Sequence, residues 1–149
     1  MIHIPNNRDQ IDEFIWQGRE PESVLNPVLV GKVGLLVLCY REGQANWERF
    51  RNRSFRVHEA PMTDDQKTIL SEDIPTALLA AQTVADAARN NISTLVTCSQ
   101  GRNRSGLVVA LALRELHGWS GSECVAKVRE RRAGALFNAG FVRYIEELK

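Results

Sequence analysis

The segment Thr94–Gly106, TLVTCSQGRNRSG, constrains the fold of this 149-residue chain more than any other stretch. It opens inside Ile92–Thr97, a short apolar and β-branched run bounded by polar turns, which is the pattern of a strand. Five residues follow Cys98, and then Arg104 starts a run to Leu116 with helical periodicity that closes on Gly118. A strand feeding a helix through so short a loop belongs to an α/β layer structure, in which reactive groups gather beyond the carboxyl ends of the strands.

The loop has the make-up of an oxyanion cradle. Backbone N–H groups of a short turn entering a helix converge on one point, and the helix dipole adds partial positive charge there. Gly101 permits a turn that a side chain would obstruct. The planar guanidinium of Arg104 can grip two oxygens of a phosphate at once. The same field favours a thiolate over a thiol, which suits Cys98 to covalent phosphoryl transfer. Ser105 can donate a hydrogen bond to the sulfur when it leaves. A bare Cys-x5-Arg pair arises by chance in roughly a third of chains with this Cys and Arg content, but requiring the flanking Gly, Ser and Gly lowers that to on the order of one in a thousand.

Other elements fit the same architecture. Phe14–Gln17 reads as a strand ended by Gly18, about Pro21–Val33 as a helix, and Leu35–Cys39 as a strand buried on both faces. Phe55–Glu59 is a further strand, and Pro61–Asp65 (PMTDD) a loop. Ser71 is the expected N-cap of a long helix presenting Ile74, Leu78, Leu79, Val84, Ala85 and Ala88 on one face. Two more helices, about Ser122–Arg132 and Asn138–Leu148, complete the chain. The expected fold is a single α/β domain over residues 1–149, with a mainly parallel central sheet flanked by helices on both faces. Its strand ends would gather Tyr40–Gln44, Ala60–Asp65 and Cys98–Ser105.

Composition narrows the chemistry further. Three cysteines, Cys39, Cys98 and Cys124, have no Cys-x-x-Cys spacing and suit neither a disulfide framework nor a zinc site. Neither a metal nor a cofactor is implied. No apolar run is long enough to span a bilayer, and the N-terminus lacks the pattern of a secretory signal, so a reducing, cytoplasmic setting is expected. The formal net charge is only +1. The clusters Arg49, Arg51, Arg53, Arg56 and Lys127, Arg129, Arg131, Arg132 are expected to be solvated surface. His3, His58 and His117 show no ligand spacing, and Trp16, Trp47, Trp119 and Cys124 are expected to pack.

CSQGRNRSG resembles the Cys-x5-Arg-Ser/Thr signature of the protein tyrosine and dual-specificity phosphatase superfamily, and the order of elements resembles it over most of the chain. The resemblance implies hydrolysis of phosphomonoesters through a cysteinyl-phosphate, with Ser99, Gln100, Gly101, Arg102 and Asn103 forming the phosphate loop. It implies a general acid in PMTDD, and the family's spacing from Pro61 favours Asp64 over Asp65. The implied substrate is a phosphoprotein. Asn103 before Arg104 resembles relatives acting on RNA 5′-phosphates, and Arg102 would suit phosphoinositides or another substrate with a second negative charge. A catalytically weak phospho-binding module is a further alternative. Cys39 is expected to be a buried core cysteine; LLVLCYRE also resembles a strand end of tensin-related phosphoinositide phosphatases, and that resemblance implies, as the alternative, a redox partner of Cys98. Thr97 departs from the family, where histidine commonly precedes the nucleophile.

Overall fold

The structure is a computed structural model that describes residues 8–19, 33–40, 55–65 and 67–149. All of the expected helix Pro21–Val33 except Val33, and most of Tyr40–Gln44, with His3, Trp47, Arg49, Arg51 and Arg53, lie outside the described residues. Among the described residues, five strands form one sheet: β1 (Arg8–Asp12), β2 (Ile15–Arg19), β3 (Leu35–Tyr40), β4 (Arg56–Met62) and β5 (Thr94–Cys98). Their order is β1-β2-β5-β3-β4, with every pairing parallel except the antiparallel β1–β2 hairpin. Every residue of β3 and β5 is buried, so both faces of the sheet's centre are covered, as continuous apolar runs require.

Helix α1 (Asp73–Arg89) packs beside α2 (Arg104–His117) on one face of the sheet, and α3 (Gly121–Arg131) and α4 (Ala139–Glu146) close around α2. A capping box of Ser120 and Glu123 starts α3, and the Asn138 side chain caps α4 through Phe141 N–H. Leu36, Leu38, Val96, Leu107, Val109 and Leu113 are among the residues of the core between sheet and helices.

The alternation of strand and helix holds, while four local expectations change. The hairpin strand β1 was not legible, because RDQID has no clean alternation and earns its place by pairing with β2. Pro61–Asp65 is not all loop: β4 continues through Pro61 to Met62. Pro61 is tolerated because β4 is an edge strand and its register with β3 slips by one residue there, Leu38 facing Glu59 but Tyr40 facing Met62. Ser71 does not cap α1; the helix starts at Asp73, whose buried carboxylate accepts from Thr63 N–H at 3.0 Å. The face that α1 buries is its alanine stripe, Ala77, Ala80, Ala81, Ala85 and Ala88 with Val84, while Leu78 and Leu79 are 44% and 57% exposed. Small side chains let α1 lie close against α2, and larger ones are left outside.

Candidate active site

Strand β5 ends on Cys98, and the helix α2 begins at Arg104, so the loop between them turns back over the end of the sheet. Gly101 takes φ +69°, and a Cβ there would fall 2.2 Å from the carbonyl carbon of Gly18. The loop therefore rests directly on the backbone of β2, a fit that only glycine allows. Cys98 Sγ lies 3.2 Å from Ser105 Oγ and accepts from Ser105 N–H at 3.4 Å. Thr97 donates its hydroxyl to Val37 carbonyl at 2.9 Å and ties the end of β5 to β3.

Asp64, Cys98, Ser99, Gln100, Arg102, Asn103, Arg104 and Phe137 line a cavity of about 220 Å³. Arg104 is buried and donates to Met62 carbonyl at 3.2 Å, which fixes its guanidinium between the end of β4 and the loop. Asp64 and Asp65 part company here. The Asp64 carboxylate lines the cavity and accepts from the side-chain amides of Asn103, at 3.1 Å, and Asn138. Asp65 turns away, its carboxylate capping Lys67 N–H at 3.0 Å and its carbonyl accepting from Asn138 at 2.8 Å. Asn103 sits at the N-cap of α2 without capping it, since its side chain is committed to Asp64 and to Asn138 N–H. A local rule is broken where the site needs the side chain elsewhere.

Cys39 follows Leu38, which pairs with Thr97, so the backbone of β3 carries Cys39 alongside Cys98. Burial pushes the Cys39 thiol well above its usual value; a charge on Cys98 adds to this and Arg104 opposes it. Cys124 is a buried packing residue, and its thiol is pushed up to about 11 by burial. His117 pairs with Asp12 at 2.9 Å and stacks on Trp119, away from the cavity.

Sequence reasoning missed the side chains that hold the loop from outside. Arg132 is not a surface cation: it is buried, donating to the carbonyls of Gly101 and Gln100 and to Asp9 at 2.8 Å. Its guanidinium gathers loop carbonyls on the side away from the cavity, which leaves the peptide N–H groups for the other side. Nor is Arg129 simply solvated, since it donates to Leu136 carbonyl at 2.8 Å. Gln17, read only as a strand residue, is fully buried and donates to Gly101 carbonyl and Ser105 Oγ. A glutamine inside an otherwise apolar strand was the one available signal. Among the described residues no cluster of three or more His, Cys, Asp or Glu side chains could hold a metal, and no helix is long and apolar enough to cross a membrane.

A family model described as dual specificity phosphatase, catalytic domain, matches residues 15–149. Dual specificity protein phosphatase 1 of Arabidopsis thaliana is 33% identical over 66 residues, which are 44% of this chain and 33% of that protein. The match thus spans about a third of that curated relative's length. Among solved structures, the active form of Tk-PTP has a TM-score of 0.80 at 21% identity, covering 99% of this chain and 100% of that one. PTPMT1 in complex with PI(5)P has a TM-score of 0.81 at 16% identity, covering 95% and 93%. At such identities the likeness concerns the fold.

Proposed function

The chain belongs to the dual specificity phosphatase catalytic-domain family, and on that premise we propose that it hydrolyses phosphomonoesters through a phosphorylated Cys98. The observation that carries this is the placement of Ser105 N–H and Oγ at 3.4 and 3.2 Å from Cys98 Sγ, in a cavity also lined by Arg104 and Asp64. That is the equipment needed to stabilise a thiolate, to hold a phosphoryl group above it and to supply a proton.

In the first step the Cys98 thiolate forms an S–P bond as the P–O bond to the leaving group breaks, and protonated Asp64 gives its proton to the departing oxygen. Arg104 and the loop amides carry the charge on the equatorial oxygens. In the second step water attacks phosphorus, Asp64 takes its proton, and the S–P electron pair returns to sulfur. Ser105 then donates to that sulfur, and inorganic phosphate leaves. Nothing else is consumed. Residues 1–149 act in this scheme as one catalytic domain, in a reducing cytoplasmic compartment that keeps Cys98 a thiol.

The substrate proposed first is a phosphoprotein carrying phosphotyrosine, with phosphoserine and phosphothreonine as further substrates. A phosphoinositide is the second reading, supported by Arg102 on the cavity wall, where it could meet a second phosphate. The test is turnover on a phosphotyrosyl peptide, a phosphoseryl peptide, a 5′-triphosphorylated RNA and inositol phospholipid vesicles, together with capture by Cys98→Ser protein. Hydrolysis of the peptides with covalent phosphate on Cys98 after acid quench is expected. Binding of every substrate without release of phosphate would turn the assignment to a phospho-binding module.

A further inference from the structure

We infer that Gln17 is a positioning residue for the second chemical step, its amide aiming the Ser105 hydroxyl at the Cys98 sulfur. The inference rests on the function proposed above, in which Ser105 assists the departure of that sulfur. Gln17 Nε2 lies 3.1 Å from Gly101 carbonyl, 3.4 Å from Arg102 carbonyl and 3.2 Å from Ser105 Oγ. Carbonyl oxygens only accept, so the NH2 end of the amide has to face them. Its two hydrogens serve the loop carbonyls and the hydroxyl.

The consequence falls on Ser105. A hydroxyl has one proton, and an oxygen that accepts from Gln17 keeps that proton for another acceptor. Cys98 Sγ stands 3.2 Å away in the same buried network, and as a thiolate it can only accept. Hydrogen bonding therefore runs one way, from Gln17 N–H through Ser105 O–H to sulfur, and each donation strengthens the next. During hydrolysis of the S–P bond sulfur gains negative charge, so an oriented donor favours that step. During formation of the S–P bond sulfur loses charge, and the same donor gives no advantage.

Two further observations favour this over simple packing. Gln17 Oε1 is buried without a hydrogen-bond partner, a loss of about 1–3 kcal/mol that an apolar residue of the same size would avoid. Moreover, a Cβ at Gly106 would lie 3.3 Å from Gln17 Nε2 and 2.9 Å from Leu136 Cγ, so the bare first turn of α2 leaves the space the amide uses.

The experiment compares wild type, Gln17→Met, Ser105→Ala and the double variant in rapid-mixing assays with p-nitrophenyl phosphate, with Gln17→Leu as a second apolar variant should Gln17→Met not fold. Loss of one hydrogen bond in the network predicts that Gln17→Met lowers kcat about 5–20-fold, with kcat/KM within about 2-fold. A burst of nitrophenol near one equivalent and acid-stable phosphate on Cys98 should accompany it. In the Ser105→Ala background the same change should cost less than about 2-fold, because the amide acts through the hydroxyl. Equal losses in kcat and kcat/KM without a burst, or losses that multiply undiminished with Ser105→Ala, would overturn the inference and leave Gln17 a support for the loop carbonyls. If wild type forms no phosphoenzyme, the proposed function falls instead. The inference is then decided by iodoacetamide alkylation of Cys98 at fixed pH: a change of about 3-fold or more in Gln17→Met that disappears beside Ser105→Ala supports it, and no change overturns it.

Discussion

Cys39 and Cys98 are carried side by side on neighbouring parallel strands, both are buried, and their surroundings diverge. Cys98 ends its strand at the N-terminus of α2, where a peptide N–H and a hydroxyl meet the sulfur. Cys39 is followed by one more strand residue, and burial keeps its thiol protonated. On the proposed mechanism, depth in the protein does not by itself make a nucleophile. What matters is whether buried dipoles point at the sulfur, because a low-dielectric site without them favours the neutral form.

The largest test of this contrast exchanges each sulfur for oxygen. Cys98→Ser should lower kcat on an arylphosphate by on the order of 10⁴-fold or more, since in the proposed mechanism the same sulfur is nucleophile and then leaving group. Cys39→Ser should stay within about 5-fold, its cost being one of packing and polar burial. Next comes the pair one strand over. Asp64→Asn should lower kcat by roughly 10²–10⁴-fold for alkyl phosphates and flatten the alkaline limb of the pH–rate profile, while Asp65→Asn leaves both near wild type. Equal effects at the two positions would break the assignment, which rests on Asp64 alone lining the cavity.

Arg132→Met tests whether the dipoles at Cys98 need holding from behind. It leaves Asp9 and two loop carbonyls without their shared donor, so unfolding in urea should report a loss of about 2–4 kcal/mol. A phosphate-competitive inhibitor should weaken in step. A smaller effect concerns Cys39 as a redox partner. Attack on oxidised Cys98 requires the Cys39 thiolate, so after peroxide the Cys39–Cys98 crosslink, read by mass spectrometry, should be scarce at neutral pH and rise in alkali. A high yield at neutral pH would show that proximity outweighs desolvation.

The smallest effect is a control in which burial acts without a helix terminus. Burial lowers the imidazole of His58 below its usual value of 6.5. The unfolded chain then binds the proton more readily, so this contribution to stability is present above about pH 6.5 and is lost as pH falls through the lowered folded value. His58→Gln should flatten the slope of melting temperature against pH in that window and nowhere else.

The sequence by itself determined the layer class, the strand that delivers Cys98, and the association of Cys98, Arg104 and Ser105. Those features are local. Five residues of chain between a strand and a helix leave few conformations, and a glycine at φ +69° selects among them. The structure alone decided what lies behind the loop. Gln17 is 84 residues from Gly101, Arg132 is 31 residues from it, and Asn138 is 74 from Asp64. No periodicity or propensity encodes such pairs, because they depend on which faces the assembled sheet and helices bring together. The same holds for α1, whose leucines looked like its core face until close packing against α2 selected the alanines instead. The chemistry proposed for Cys98 was read from thirteen consecutive residues, Thr94–Gly106. The support that holds it in place comes from β1, β2 and the segments flanking α3 and α4, and only folding joins them.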